Sequence, residues 1–148
     1  MQARPDRELK EPGGKKMGDN VRAQVEEKVR EIRKADPSIS LDSLVTDSEY
    51  GTWGVIIYTD YNFESMGFDF IESEESWQRP EAIDQYNGFS SEGYCVVIYA
   101  PSYAMNDLIK MLKRKGGRSN LRLARIDEPS GHQMTLQKAL ELTIPASR

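Results

Sequence analysis

The sequence predicts a single α+β domain with a mixed sheet of about four strands, a β-hairpin followed by a β-α-β crossover, and helices packed on that sheet. Two patterns predict it. Runs rich in β-branched and aromatic residues stand at 53–59, 66–72 and 94–100, Leu121 and Leu123 alternate within 120–126, and apolar residues recur at spacings of three and four near 20–35, 102–115 and 134–144. A length of 148 residues with 38% apolar content suits one domain with a real core.

Met1 to Gly18 places Pro5, Pro12, Gly13 and Gly14 among charged residues, with too little apolar surface to offset the entropy of ordering. A flexible charged tail is expected over 1–18, and one α+β domain over 19–148. From Asp19, a plausible N-cap, Val21, Val25, Val29 and Ile32 form one narrow apolar stripe on a helix that Asp36-Pro37 ends. The other faces of that helix are charged, as on a solvated surface. Residues 38–52 fit a short helix or an edge strand equally.

Val55, Ile56, Ile57 and Tyr58 after Gly51 read as a strand, and Met66, Phe68 and Phe70 alternate with Gly67, Asp69 and Ile71 in a second. The two make a hairpin that turns near Asn62. Residues 73–92 read as an acidic loop with a short helical turn from Pro80. Tyr94 to Tyr99 is apolar on both faces, as a central strand should be. Ser102 is placed to cap a helix carrying Met105, Leu108, Ile109 and Leu112, which Gly116-Gly117 stops. Leu121, Leu123 and Ile126 complete the crossover. Leu136, Ala139, Leu140 and Ile144 mark a last helix ending at Pro145.

The net charge of −4 hides an asymmetry, because residues 60–92 hold nine acidic side chains against Arg79 alone, whereas residues 101–148 hold nine basic against four acidic ones. These segments either neutralise each other in the fold or form separate surfaces. The single cysteine, Cys95, excludes an intramolecular disulfide. No secretory h-region follows Arg4 and Arg7, and no apolar run approaches membrane-spanning length. The chain reads as a soluble cytoplasmic protein, and nothing in it calls for a cofactor.

Candidate chemistry is sparse. Asp60, Asn62 and Glu64 imitate the start of a calcium loop, but Ser65 stands where the bend needs Gly and Ile71 where a closing carboxylate is needed. Asp60 and Asp69, followed by Glu72, Glu74 and Glu75, offer carboxylates for acid-base or metal-assisted catalysis, although an acidic solvent face explains them as well. Cys95 and His132 are each the only residue of their type, and Cys95 is expected to be a small buried hydrophobe. There is no GxGxxG, GxxxxGK[ST] or GxSxG pattern.

Two surfaces remain. Tyr61, Phe63, Trp77, Tyr86 and Phe89 fall in the turn and the acidic loop, where exposed aromatics would anchor a protein partner unless the loop folds back over the sheet. Lys113, Arg114, Lys115, Arg118 and Arg122, with Lys110 and Arg125, cluster around Gly116-Gly117. They either complement a helix C-terminus and the acidic segment or contact nucleic-acid phosphates. The expected function is therefore a non-enzymatic binding or accessory protein acting through protein contacts at 60–92. Nucleic-acid binding through 110–125 and an enzyme using carboxylates near the 53–72 hairpin are the alternatives, and a homo-oligomer is compatible with each.

Overall fold

The computed structural model describes residues 13–59, 65–127 and 133–143. The chain begins there with α1 (Gly13–Ala35), followed by β1 (Ser40–Ser48), β2 (Gly51–Thr59) and β3 (Ser65–Ile71). Then come α2 (Ala82–Ser91), β4 (Cys95–Ala100), α3 (Met105–Arg114), β5 (Arg122–Arg125), β6 (Met134–Thr135) and α4 (Leu136–Thr143). One mixed sheet runs in the order β1-β2-β3-β4-β5-β6. The first three strands form an antiparallel meander, β3, β4 and β5 are parallel, and β6 returns antiparallel to β5.

Strand alternation gives this sheet two apolar faces, each with its own helical cover. Trp53, Val55, Phe68, Phe70, Val96, Ile98 and Leu123 pack under residues of α2, α3 and α4 in the larger core. On the opposite face Ile56, Ile71, Val97, Tyr99 and Ala124 meet Val21 and Val25 of α1, with Val29 and Ile32 alongside. The narrow valine stripe is thus the buried face of α1, and its charged faces are solvated. Among the described residues no helix is long and apolar enough to cross a membrane.

The α+β class and the mixed sheet stand, with six described strands in place of about four. Residues 40–48 are the edge strand rather than a helix, joined to β2 across Glu49-Tyr50, with Gly51 at a φ of 110° that only glycine adopts readily. The acidic loop contains a full helix, α2, which makes β3-α2-β4 a second parallel crossover. Helix α1 starts at Gly13, inside the expected tail, so Asp19 lies within it rather than at its cap. Residues 1–12 lie outside the described residues. Ser102 is no cap either: it opens a 3-10 turn, Ser102–Ala104, and its hydroxyl donates to Asp127 Oδ1 at 2.6 Å.

Gly54 decides how closely α1 sits on the sheet. A Cβ built there would lie 2.7 Å from Val25 Cγ2 and 3.2 Å from the Leu44 carbonyl oxygen. Valine has little rotamer freedom in a helix and the carbonyl belongs to β1, so neither neighbour yields easily. Gly54→Ala is expected to lower stability by about 1–3 kcal/mol, read from the urea unfolding midpoint. An unchanged midpoint would mean that α1 moves outward at no cost.

Candidate functional site

The aromatic residues expected at a docking surface are mostly core residues. Tyr61 and Phe63 lie outside the described residues. Trp77 is buried, and its indole N–H donates to the Glu74 carbonyl at 2.8 Å. Tyr86 is buried edge-on against Phe70, and the half-buried Phe89 stacks on Phe68 at 3.8 Å. The reason is the periodicity of α2, where Ala82, Ile83, Tyr86 and Phe89 form one face turned toward β3 and β4. That spacing is visible in the sequence, and weighing it against the surrounding acidic residues would have identified the helix. The acidic segment folds back over the sheet, which removes these three aromatics from the surface.

Among the described residues, Asp69 and Glu72 stand on opposite sides of the sheet and do not form a carboxylate pair. Asp60, Asn62 and Glu64 lie outside the described residues. Asp69 shares its face of the sheet with Ile71 and is buried between Ile56 and Val97 in the flanking strands, not on a solvent face. It accepts one hydrogen bond from the Tyr58 hydroxyl at 3.2 Å. Burial raises its carboxyl to about 6, against the opposing pull of that hydrogen bond and of the Lys28 charge. Lys28 itself lies over the Tyr99 ring, 4.3 Å from its centroid. The same apolar surroundings push the Tyr58 hydroxyl up, and the Asp69 charge adds to this; Tyr99 is pushed up to about 12 by burial first and Asp69 second.

Glu72 belongs to the other side of the sheet and to a different network. Its Oε1 accepts from Arg79 Nη1 at 2.7 Å and from the Ser76 hydroxyl at 2.6 Å, and its Oε2 accepts from the Tyr86 hydroxyl at 2.5 Å. Arg79 also donates to the Ser76 carbonyl and to Gln85 Oε1, and its guanidinium lies 3.7 Å from the centroid of the Trp53 ring. Burial, reinforced by the Glu72 charge, holds the Tyr86 hydroxyl well above its ordinary range. With both charged side chains inside, this network fixes the segment between β3 and α2.

Cys95 is exposed at the first position of β4, contrary to its expected burial, because the apolar part of that strand begins at Val96. His132 lies outside the described residues.

Among the described residues the basic cluster is less compensated than pairing with the acidic segment would require. Lys110, Lys113 and Arg114 project from the side of α3 opposite its buried Leu108, Ile109 and Leu112. Among the described residues none of Lys110, Lys113, Arg114, Lys115, Arg118 and Arg122 has a carboxylate within 4.0 Å. Helix α3 ends in a Schellman motif: Gly117 N–H donates to the Leu112 carbonyl, Gly116 N–H to the Lys113 carbonyl, and Gly116 has a φ of 79°. The loop that follows is pinned to α2. Arg118 N–H donates to Asn87 Oδ1 at 2.9 Å, Arg118 Nε to the Ser90 hydroxyl at 3.1 Å, and that hydroxyl to Asn120 Oδ1 at 2.8 Å.

Between α3 and the 3-10 turn Ser76–Gln78 lies an open cleft of about 330 Å³, lined by Lys110, Arg114 and Lys115 with Gln78 and Trp77, and Asp107 is the one carboxylate among the described residues that line it. Arg122 does not join this surface. It pairs with Val97 in the sheet and shares the α1 side with Ala124, so the sheet separates it from α3. Comparison with protein-family models, with curated proteins and with solved structures finds no match.

Proposed function

We propose that this chain is a non-enzymatic binding protein that engages nucleic acid through its phosphates, using the α3 face and the pinned loop after it. The observation that carries this reading is that Lys110, Lys113, Arg114, Lys115 and Arg118, on α3 and the loop after it, have no carboxylate within 4.0 Å among the described residues, in a protein of net charge −4. Cations left without carboxylate partners keep their full attraction for phosphates, and binding releases the counterions condensed on the nucleic acid. Holding Arg118 by its Nε reduces the entropy lost when its remaining N–H groups meet a phosphate. Such contacts position a nucleic acid without reading its sequence.

Protein contacts have weaker support. Among the described residues the exposed large apolar side chains, Leu44, Tyr103 and Leu142, lie on three separate elements, β1, the 3-10 turn after β4 and α4.

Fluorescence anisotropy with labelled DNA and RNA at low salt tests the proposal. Wild type is expected to bind with little sequence preference, and a Lys110→Ala, Arg114→Ala, Lys115→Ala variant should reduce the slope of log affinity against log salt by about three. The cost to folding should be small, about 0.3–1 kcal/mol for each charge removed at the helix C-terminus. No anisotropy change with either nucleic acid, or identical slopes for the two proteins, would refute it.

A further inference from the structure

Strand β1 forms one end of the sheet, and among the described residues nothing pairs with its outer edge. Ser48 and Gly51 close the two-residue turn Glu49-Tyr50 as a hydrogen-bonded pair, so by alternation Ser40, Asp42, Leu44, Thr46 and Ser48 exchange their backbone bonds with β2. The backbone N–H and C=O groups of Leu41, Ser43, Val45 and Asp47 therefore point away from the sheet. The Ser43 N–H agrees with this direction, since it donates to the neighbouring Asp42 carboxylate at 3.0 Å. All nine residues run in unbroken register, with none of the Pro, Lys or bulges that keep natural edges from pairing.

An edge of this kind is completed by another strand, and the charge pattern of β1 suits a second copy of itself. For outward groups to meet outward groups in an antiparallel pair, the two-fold axis must pass through a residue and not between two. Only an axis at Leu44 pairs the whole strand; moving it by one residue leaves two residues of each copy unpaired. In that register Leu44 opposes Leu44, Ser43 opposes Val45, Asp42 opposes Thr46, Leu41 opposes Asp47 and Ser40 opposes Ser48. The two aspartates are the only charged residues of β1, and neither meets an aspartate of the other copy, so the pairing avoids like-charge repulsion across the strands. Leu44, 58% exposed, gains an apolar neighbour in the closest kind of cross-strand contact, with Cα atoms about 4.5 Å apart.

We infer that two copies of this chain associate through their β1 edges into a symmetric dimer with one continuous sheet. The axis stands perpendicular to that sheet, so both α1 helices lie on the same face. Each is seated on β2, where Val25 and Val21 approach Gly54. Three strand spacings, about 14 Å, separate β2 from its copy, whereas packed helices approach to about 8–10 Å. The two helical covers therefore do not collide. On the opposite face the exposure of Leu44 shows that α2, α3 and α4 leave the β1 end uncovered. The contact is carried by backbone groups, with Leu44 at its centre, and it uses no residue of the α3 surface.

Sedimentation velocity of the full chain over a range of concentrations is the test, and a monomer–dimer equilibrium is expected. Leu44→Asp places two like charges at the axis on an exposed side chain, and should weaken the dimer by about tenfold or more at an unchanged circular dichroism spectrum. Ser43→Pro removes an outward N–H without touching the bonds to β2, and should weaken it as well. The register is tested by cysteine pairs in a Cys95→Ser background, Cys95 being exposed. Leu44→Cys should cross-link to its own copy under mild oxidation, and Leu41→Cys, which opposes Asp47, should not. A wild type that stays monomeric, a dimer that Leu44→Asp leaves intact, or equal cross-linking at 41 and 44 overturns the inference. So does a monomer that becomes a dimer when residues 1–12 are deleted, because the chain's own N-terminal segment would then occupy the edge. None of these variants alters an α3 cation, so this result and the nucleic-acid titration fail or succeed separately.

Discussion

Replacing Arg79 with methionine is expected to lower the unfolding free energy by about 3–5 kcal/mol, the range for removing one partner of a buried ion pair. The Glu72 side chain is 0% exposed and that of Arg79 is 1% exposed, with 2.7 Å between Oε1 and Nη1. Methionine fills much of the same volume, so the loss comes mainly from charge: Glu72 stays inside with only the Ser76 and Tyr86 hydroxyls to donate to it. The contact with the Trp53 ring and the hydrogen bonds to Gln85 and the Ser76 carbonyl are lost with it. Adding Glu72→Gln should recover part of the loss, because the double variant no longer buries an unpaired charge. Urea unfolding of wild type, both single variants and the double variant measures the coupling. If the two single effects simply add, the pair is not a unit and the network contributes only its packing.

The hairpin and the central crossover are legible in the sequence because each rests on a local pattern that tertiary contacts do not override. Alternation of Phe68 and Phe70 with Asp69 and Ile71 marks a strand whatever it packs against, and Gly116 ends a helix by its own backbone freedom. Helix α2 is obscured by composition, since Glu81, Asp84 and Glu92 surround an apolar face only ten residues long. The expected edge strand or helix at 38–52 is ambiguous for a related reason: β1 has one sheet neighbour and a largely exposed surface, so its alternation is weak.

The candidate surfaces are legible only as charges. Residue numbers show that the stretch from Lys110 to Arg122 is basic, but not that the sheet divides Arg122 from α3, nor that the described acidic residues leave the α3 cations without ion pairs while Arg79 turns inward to Glu72. The fold also accounts for Asp69. A strand with alternating acidic and aromatic residues normally has a wet face, but here α1 covers it.

That burial makes Asp69 the group whose removal should most change the pH dependence of stability. Its carboxyl is raised from 3.8 to about 6, chiefly because Ile56, Val97 and α1 exclude water, with Tyr58 and Lys28 acting in the opposite direction. The folded state therefore holds this proton more tightly than the unfolded chain. Its contribution is fully present below about pH 4, is lost as pH rises through about 6, and is absent above that. The gap corresponds to about 3 kcal/mol. Asp69→Asn keeps an oxygen to accept from Tyr58 and cannot ionise, so its stability relative to wild type should rise by about 3 kcal/mol between pH 4 and pH 7.5. Urea unfolding of both proteins across that interval gives the difference directly, and every other titrating group cancels to first order. Parallel stability curves would show that the ionised Asp69 is fully compensated in the fold, with Lys28 its nearest candidate partner.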